Sequence, residues 1–203
     1  MNSHNNLFFL VIFILSLFGS SSVIAEEVSP RGTVELLINS ISSLETGIQL
    51  SPEEIKKNDL LSYNALGRLN IREICRKVLG KYWKKLSLTE QKKFIDLLSR
   101  MFIKEAFPNS GKFFSTFKLI YGQTNITELK ATVPLSVVHE KEGEINIDFH
   151  LYKYSNQWQV VDVALDGISM RNNLRSKLYK IISKNNYQEL VRRLEQKLTD
   201  IKK

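Results

Sequence analysis

The stretch Trp158–Arg175 reads WQVVDVALDGISMRNNLR, and the rest of the chain is organised around it. Its first half has the two-residue period of a β-strand. One face of that strand is predicted to carry Val161, Val163 and Leu165, and the other face Val160, Asp162 and Ala164. Asp166-Gly167 then predicts a tight turn, because glycine tolerates the positive φ that such turns often need. Ser169 is predicted to cap a following helix, since its hydroxyl can accept a backbone N–H from the first turn.

Two further strands are predicted before this one, because apolar residues alternate with polar residues over 129–137 and 145–152. The links between the three strands are short, with turn residues at Lys141-Glu142-Gly143 and at Ser155-Asn156. Short links between successive strands predict an antiparallel meander. Pro134 lies inside the first of these strands, where it indicates an edge position or a bulge, since proline cannot donate to a neighbouring strand.

Amphipathic helices are predicted before and after the meander in the chain. Their starts are marked by a capping residue with Glu three positions later, at Ser51, Asn70, Ser87 and Asn186. The clearest helix is predicted over Leu88–Ala106, the first helix is expected to stop at Gly47, and Phe107–Gly111 (FPNSG) is predicted as a loop. We therefore predict an α+β fold, in which an antiparallel β-meander packs against several α-helices.

The N-terminus has the pattern of an export signal. Leu7–Phe18 is an apolar run of about twelve residues interrupted only by Ser16, which is too short for a membrane span of ~20 residues. Val23-Ile24-Ala25 matches a small-residue cleavage site, so residues 1–25 are predicted to be a signal peptide and 26–203 a single domain. The segment before the apolar run has no Lys or Arg, and an uncleaved anchor is the alternative.

The predicted mature chain keeps all 29 basic and 21 acidic residues, so its net charge stays at +8. A basic exported protein can be drawn to anionic lipid head groups or to an acidic partner surface. The alternative is that the lysine-rich faces are simply solvated. Nucleic acid is not expected as a partner, because the sequence has an export signal and no basic stripe with interleaved aromatic residues.

Residues for catalysis or metal binding are few. His139 and His150 have no metal-ligand or triad spacing, and a nucleophile motif is absent from the sequence. Asp162 is expected to pair with Arg171 or Arg175 rather than to form a catalytic carboxylate pair with Asp166. Cys75 is the only cysteine and lies on an apolar helical face, so we expect a buried thiol and no disulfide.

The most informative feature of the chain is the number and arrangement of its apolar side chains. The meander has one strongly apolar face, and the helices add stripes that contain large, flexible side chains. Notable among these are Phe94, Met101, Phe102, Phe113, Phe114, Phe117 and Met170. Such a set can close into a solid core or can leave an elongated cavity between sheet and helices, and the residues alone leave both possibilities open.

Several motifs, in the right order, give the chain a resemblance to a known family. They are Leu79-Gly80-Lys81-Tyr82-Trp83, the helix start Ser87-x-x-Glu90-Gln91-x-x-Phe94, the block Trp158-x-Val160-x-Asp162-Val163 with Gly167-Ile168-Ser169 and Asn172-x-x-Arg175, and the ending Leu190-x-x-x-Leu194-x-x-Lys197. Together they resemble the MlaC (toluene-tolerance) family of periplasmic phospholipid-binding proteins. The family commonly has Tyr after its long helix, where this chain has Phe107-Pro108.

This resemblance implies a monomeric, non-enzymatic carrier that needs no cofactor and shuttles a phospholipid through the periplasm to maintain outer-membrane lipid asymmetry. The acyl chains would lie in an elongated apolar cavity between sheet and helices, with the head group at the surface. Two chains of about 14 methylenes each represent roughly 20 kcal/mol of transfer free energy at ~0.8 kcal/mol per methylene. The implied partners are an inner-membrane ABC transporter with an MCE-domain ring and an outer-membrane lipoprotein–porin complex.

On this resemblance, the lipid-binding positions are predicted on the long helix and on the inner face of the sheet. They are Phe94, Leu98, Met101, Phe102, Val133, Leu135, Ile147, Phe149, Val161 and Val163. The motif residues Tyr82, Trp83, Trp158, Asp162, Gly167 and Arg175 are expected to shape the frame instead. Alternatives are a carrier of another amphiphile such as a hopanoid, a small-substrate enzyme in a cone-shaped α+β fold, and a binding module with a solid core.

Overall fold

The computed structural model describes residues 28–47, 49–139 and 143–201. The predicted signal peptide lies outside these residues, as do Lys141 and Glu142 of the predicted turn. The helices before the sheet are α1 (Pro30–Ser42), α2 (Pro52–Gly67), α3 (Ile71–Leu79), a 3₁₀ segment (Gly80–Lys85), α4 (Leu88–Met101), a π-helical segment (Phe102–Ala106) and α5 (Phe107–Thr116). After the sheet come α6 (Met170–Lys184) and α7 (Tyr187–Asp200). The predicted α+β class is confirmed.

Local capping sets most helix starts where the sequence predicts them. Ser51 and Ser87 each accept from the backbone of Glu54 and Glu90, and both Glu side chains bond back to the cap, which completes two capping boxes. The caps predicted at Asn70, Ser169 and Asn186 also accept the expected backbone N–H. The predicted stop of α1 at Gly47 is wrong, because the helix ends at Ser42.

The sheet contains the strands β1 (Lys118–Tyr121), β2 (Asn125–Thr127), β3 (Lys130–His139), β4 (Gly143–Tyr154), β5 (Gln157–Leu165) and β6 (Ile168–Ser169). Its order is β1-β3-β4-β5-β6 with β2 also on β3, and every pairing between these strands is antiparallel. The predicted meander is therefore confirmed as β3–β4–β5. One face of the meander is buried and the other is partly exposed.

Pro134 lies where the outer edge of β3 is interrupted. Strand β1 pairs with β3 as far as Leu135 and β2 pairs with it from Thr132, so neither strand covers Pro134. The Pro134 carbonyl accepts from Gly122 N at 2.9 Å on this side. Because the N and C=O of one residue point the same way in an antiparallel strand, the missing N–H faces the gap. Pro134 therefore lies at a local edge of the sheet, as the sequence predicted.

Strand β5 contains a bulge that its sequence pattern concealed. Leu151 of β4 pairs with Val160 and His150 pairs with Asp162, which leaves Val161 as an extra residue. Val160 and Val163 therefore face the same side of the sheet as Leu151 and Phe149. The predicted alternation, with Val160 opposite Val161 and Val163, is wrong at this point because a strict two-residue period cannot cross a bulge.

The predicted long helix continues beyond its expected end. Helix α4, the π-helical segment and α5 follow one another without a break in helical geometry from Leu88 to Thr116. The loop predicted at Phe107–Gly111 is wrong, since these residues form the first half of α5. Pro108 is the second residue of α5 and directly follows the π-helical bond from Phe107 N to the Phe102 carbonyl, so its missing N–H falls where the α-helical ladder is already interrupted. Among the described residues, none of the helices combines the length and apolar character needed to cross a membrane.

Candidate functional site

An apolar cavity of about 520 Å³ lies between the helices and the inner face of the sheet. This volume falls within the roughly 300–1,000 Å³ range of ligand pockets. Helix α1, the π-helical segment and α5 form one wall, and strands β4 and β5 form the other. The lining residues are Leu37, Ile41, Leu69, Phe102, Ala106, Phe107, Asn109, Ser110, Phe113, Phe114, Ile145, Ile147, Phe149, Val163, Leu165 and Met170.

The π-helical segment forms part of the cavity wall. The backbone N–H of Phe107 bonds to the carbonyl of Phe102, five residues earlier rather than four. Phe107, the donor of this bond, directly precedes Pro108, which has no N–H to give to an α-helical ladder. Phe102 and Ala106, at its two ends, both line the cavity. Single π-turns of this kind are frequent at functional sites.

Helix α5 is held against α1 by an unusually close contact. A Cβ at Gly111 would lie 2.0 Å from the carbonyl oxygen of Ile41, so only glycine fits there. The contact fixes the α5 backbone next to the end of α1, while Phe113 and Phe114 on the same helix reach the cavity. This backbone contact between the two helices therefore helps to fix the cavity wall.

Polar side chains contribute to the cavity at one place. Among the lining residues, only Asn109 and Ser110 have polar side chains, and they are consecutive on α5. Asn109 is exposed and Ser110 is partly exposed, so this part of the lining is open to solvent. The lining contains no titratable side chain. The cavity can therefore hold an apolar ligand by burial and offers hydrogen-bonding groups only near its open side.

A smaller cavity of about 150 Å³ lies beside the first. Its lining residues are Leu69, Ile74, Phe102, Val160, Val161, Asp162, Val163, Met170, Arg171 and Leu174. Four of these residues, Leu69, Phe102, Val163 and Met170, also line the larger cavity, and we call them the partition. The bulge residue Val161 lines the smaller cavity but not the larger one.

Asp162, next to the smaller cavity, has all its interactions inside the protein. Its carboxylate accepts from the Ser169 hydroxyl at 2.6 Å and from the backbone N–H groups of Val163 and Arg171 at 2.9 and 3.0 Å. The Arg171 guanidinium lies 3.2 Å from the same carboxylate. Of the two arginines that the sequence suggested, Arg171 is thus the partner. A buried, fully bonded carboxylate at the start of α6 fixes that helix on the sheet.

The predicted lipid-binding residues divide into two groups. Phe102, Ile147, Phe149 and Val163 line the larger cavity, and Val161 lines the smaller one together with Phe102 and Val163. Phe94, Leu98, Val133 and Leu135 belong to the solid part of the core, each at most 5% exposed. Met101 packs instead on the small cluster Leu97, Val191 and Leu198. The binding role of all ten residues stays a prediction.

Sequence reasoning missed the contribution of α1 and α5 to the cavity. Leu37 and Ile41 are on the apolar stripe of α1, but nothing in that stripe says that it faces empty space. Phe113, Phe114 and Met170 stood out as large, flexible side chains. Their position at the cavity depends on α5 being helical from Phe107, where composition favoured a loop.

The motif residues join distant elements, as expected of a frame. Trp83 and Trp158 are buried in the core. Tyr179 of α6 donates to the Leu79 carbonyl and accepts from Lys81 N, both at 3.1 Å. The Arg175 guanidinium lies over the Tyr179 ring, 5.0 Å from the ring centroid. Gly80 has a φ of 48° and leaves room for Tyr179, whose hydroxyl would lie 2.3 Å from any Cβ there.

The described residues contain no cluster of His, Cys, Asp or Glu that could hold a metal ion. His150 lies 3.2 Å from the Thr132 hydroxyl on the outer face of the sheet. Cys75 is fully buried, as the sequence predicts, and burial raises the pKa of its thiol to about 12. A thiol with so high a pKa is almost entirely protonated at neutral pH and is therefore a poor nucleophile.

Comparison with known proteins places these features in a family. The family described as MlaC protein matches residues 36–196, which is most of the chain. The chain belongs to the MlaC family. Its fold is also similar to the phospholipid-binding protein from Ralstonia solanacearum, whose structure is a complex with a phospholipid. The TM-score is 0.69 at 16% sequence identity, over 88% of this chain and 100% of that chain. A search of curated proteins finds no match.

Within the MlaC family match lie both capping boxes of α2 and α4, the π-helical segment, the whole sheet and the strand-to-helix block around Asp162. The cavity-lining residues also fall inside the matched range, from Leu37 to Met170. The likeness to the Ralstonia protein establishes a shared fold at this low level of identity.

Proposed function

We propose that this MlaC-family protein is a periplasmic phospholipid carrier, which binds the acyl chains of its cargo non-covalently in the apolar cavity. The observation that carries the proposal is the 520 Å³ cavity with no titratable side chain in its lining. A solid-core binding module would fill that space with side chains, because protein interiors are otherwise packed as densely as organic crystals.

The energetics favour a lipid as the occupant. A buried methylene contributes ~0.8 kcal/mol, so acyl chains carried through water need a dry environment over much of their length. Most of the lining consists of Leu, Ile, Val and Phe side chains, which offer such an environment. Asn109 and Ser110, which line the cavity and are at least partly exposed, would hydrogen-bond the glycerol or head-group end of a bound lipid.

A carrier role needs no catalytic group. An enzyme in a cone-shaped fold would need a nucleophile, acid or base facing its substrate. The two cavities offer only Asp162 and Arg171, which are paired with each other beside the smaller one. We therefore propose that the protein acts by binding and release, without a cofactor.

By family membership, the proposed route of the lipid runs between an inner-membrane ABC transporter with an MCE-domain ring and an outer-membrane lipoprotein–porin complex. Residues 1–25 would direct export and then be removed, which leaves a monomeric carrier in the periplasm. The net charge of +8 supports docking on anionic lipid or acidic partner surfaces. Shuttling of phospholipid between these two complexes would maintain the lipid asymmetry of the outer membrane.

The test is native mass spectrometry of the purified, exported protein, followed by lipid analysis of an organic extract. We expect a mass excess of about one phospholipid. Ala106→Phe should abolish that excess, because the new ring points into the cavity from the π-helical segment. Lys104→Phe adds the same ring at an exposed position two residues away and should keep the lipid.

A well-folded wild-type protein that carries no amphiphile, even after incubation with membrane vesicles, would refute the proposal. Retention of lipid by Ala106→Phe would show that the cargo lies elsewhere. A hopanoid or another amphiphile in the extract would keep the carrier mechanism and change the cargo.

A further inference from the structure

The basic residues of the chain are concentrated in two segments. Segments 72–85 and 170–185 together hold 11 of the chain's 29 basic residues but one of its 21 acidic residues, Glu73. Their combined formal charge is therefore +10, whereas that of the whole chain is +8, so the rest of the molecule is slightly acidic. A charge distributed this unevenly produces a field that orients the molecule toward an anionic surface.

The fold brings these two segments into contact. Tyr179 of α6 donates to the Leu79 carbonyl and accepts from Lys81 N, both at 3.1 Å. The rings of Tyr82 and Tyr179 meet edge to face, with 5.0 Å between their centroids. The Lys81 ammonium lies over the Tyr82 ring, and the Arg175 guanidinium lies over the Tyr179 ring. The two segments therefore form one continuous surface, which we call the basic face.

Much of the positive charge on the basic face is not neutralised within the protein. Arg76 and Lys77 lie against the Glu73 carboxylate, and Arg171 is paired with Asp162. Six lysines, by contrast, are exposed and make no ion pair with any residue that the structure describes: Lys81, Lys84, Lys85, Lys177, Lys180 and Lys184. Their charges are available to a partner.

The composition of the basic face favours a lipid bilayer over a folded protein as that partner. Protein interfaces are depleted in lysine and centre on buried aromatic or other large anchors. Within the part of the chain that the structure describes, none of the large apolar side chains that are exposed to solvent lies in 72–85 or 170–185. Lysine is a strongly hydrated point charge on a flexible stem, which suits diffuse attraction to a layer of lipid phosphates.

We propose that the basic face docks the protein reversibly on anionic phospholipid bilayers. The inference names the partner for the docking step of the proposed function and rests on that function in this respect. An electrostatic contact without an apolar anchor holds a carrier near a membrane and still releases it. Each lysine near an anionic bilayer raises the affinity about fivefold, so several together give measurable binding.

The test is flotation of the purified, exported protein with vesicles of phosphatidylcholine, either alone or with about one quarter phosphatidylglycerol. At low salt we expect wild type to bind only the vesicles that contain phosphatidylglycerol, and high salt should release it through screening. The variant Lys84→Gln/Lys85→Gln/Lys180→Gln removes three exposed charges from the basic face. It should weaken binding about a hundredfold, at a factor of about five for each lysine.

The variant Lys56→Gln/Lys112→Gln/Lys118→Gln is the matched control. It removes three exposed lysines from α2, α5 and β1, so its net charge equals that of the first variant. It should bind within about threefold of wild type, because its substitutions lie outside the basic face. Equal losses in the two variants would overturn the inference, since binding would then follow net charge and not position.

Absence of wild-type binding to the phosphatidylglycerol vesicles would also overturn the inference. If that protein still bound immobilised polyglutamate, the basic face would belong to an acidic protein partner instead. Native mass spectrometry of the same preparations separates docking from cargo binding. The lipid content should be equal in all three proteins, and its absence from wild type would overturn the carrier function without touching the docking result.

Discussion

Two regions of the apolar interior are built from the same residue types, but one is packed solid and the other contains a cavity. In the closed region, α3, α4 and α7 pack around fully buried side chains such as Phe94, Leu79 and Leu190, none of which lines either cavity. In the hollow region, α1, the π-helical segment and α5 face strands β4 and β5 across 520 Å³ of space. Hydrophobic composition therefore does not decide whether an interior is filled; backbone geometry does.

The backbone features that separate the two regions are local and identifiable. The hollow region has a π-turn before Pro108, a glycine pressed against the α1 backbone and a bulge at Val161. The closed region has regular α-helices with capped starts at Asn70, Ser87 and Asn186. Each irregular feature includes or contacts a residue that lines one of the cavities: Phe102 and Ala106 in the π-turn, Ile41 beside Gly111, and Val161 in the bulge.

The largest expected effect compares one phenylalanine from each region. Phe94→Ala should lower the free energy of unfolding by about 3–5 kcal/mol, because it leaves a cavity in a fully packed site. Phe102→Ala should cost less than half as much, since its side chain already borders both cavities. Chemical denaturation of both variants in the lipid-free state measures the difference. Equal losses would mean that the two regions are packed alike.

A second test addresses the contact that holds the hollow region in shape. Gly111→Ala should lower the unfolding free energy by about 1–3 kcal/mol, because a Cβ would meet the Ile41 carbonyl and one helix must move. Gly67→Ala is the control, since a Cβ there meets nothing within 4 Å at the end of α2. That control should be neutral or stabilising by up to ~1 kcal/mol. A neutral Gly111→Ala would contradict the close contact.

Much of the fold was predictable because its signals are local. Ser51 and Ser87 determine their helix starts through residues three positions away, and the alternation in β3 and β4 is unbroken. The cavity was harder to predict, because its features depend on distant partners. Val160 is aligned by Leu151 and by backbone bonds to residues Arg68 and Asn70, which displaces Val161 into the bulge. The consecutive pair Val160-Val161 was the one visible sign.

The predicted cavity-lining residues also show that features which depend on distant parts of the chain are hard to predict from the sequence. Phe149 and Val163 line the cavity, whereas Val133 and Leu135 on β3 are buried in the core and do not line it. All four lie on the inner face of the sheet. Sequence gives the face of a strand residue, but which part of that face is covered depends on where α1 and α5 cross it.

An intermediate loss of unfolding free energy is expected at Asp162, which is bonded to Ser169 and Arg171 beside the smaller cavity. Asp162→Asn should lower the unfolding free energy by about 1–3 kcal/mol, since the amide cannot replace the charged partner of Arg171 and leaves bonds unmade. Asp166→Asn is the matched control in the exposed turn, where φ is 46° and asparagine is well tolerated. Thermal unfolding distinguishes them. Equal effects would imply that Asp162 does not anchor α6.

The smallest expected change in unfolding free energy comes from substituting Glu73 on α3. Two hydrogen bonds of 2.6 Å from the Arg76 guanidinium hold the pKa of Glu73 below its ordinary value of 4.5. The ionised carboxylate therefore stabilises the fold above the unfolded pKa, and this contribution is lost as the pH falls through the lower folded pKa. Because Arg76 is half-exposed, we expect Glu73→Gln to cost under ~1 kcal/mol at pH 7.

The gap in unfolding free energy between wild type and Glu73→Gln should close as denaturation is repeated from pH 7 down to about pH 3. Protonated Glu73 and glutamine are then electrically alike. A gap that stays constant over this range would contradict the ion pair. Since Glu73 lines neither cavity, the lipid content at pH 7 should be the same in both proteins. A loss of lipid from this variant would mean that the closed region supports the hollow one more directly than their separate packing indicates.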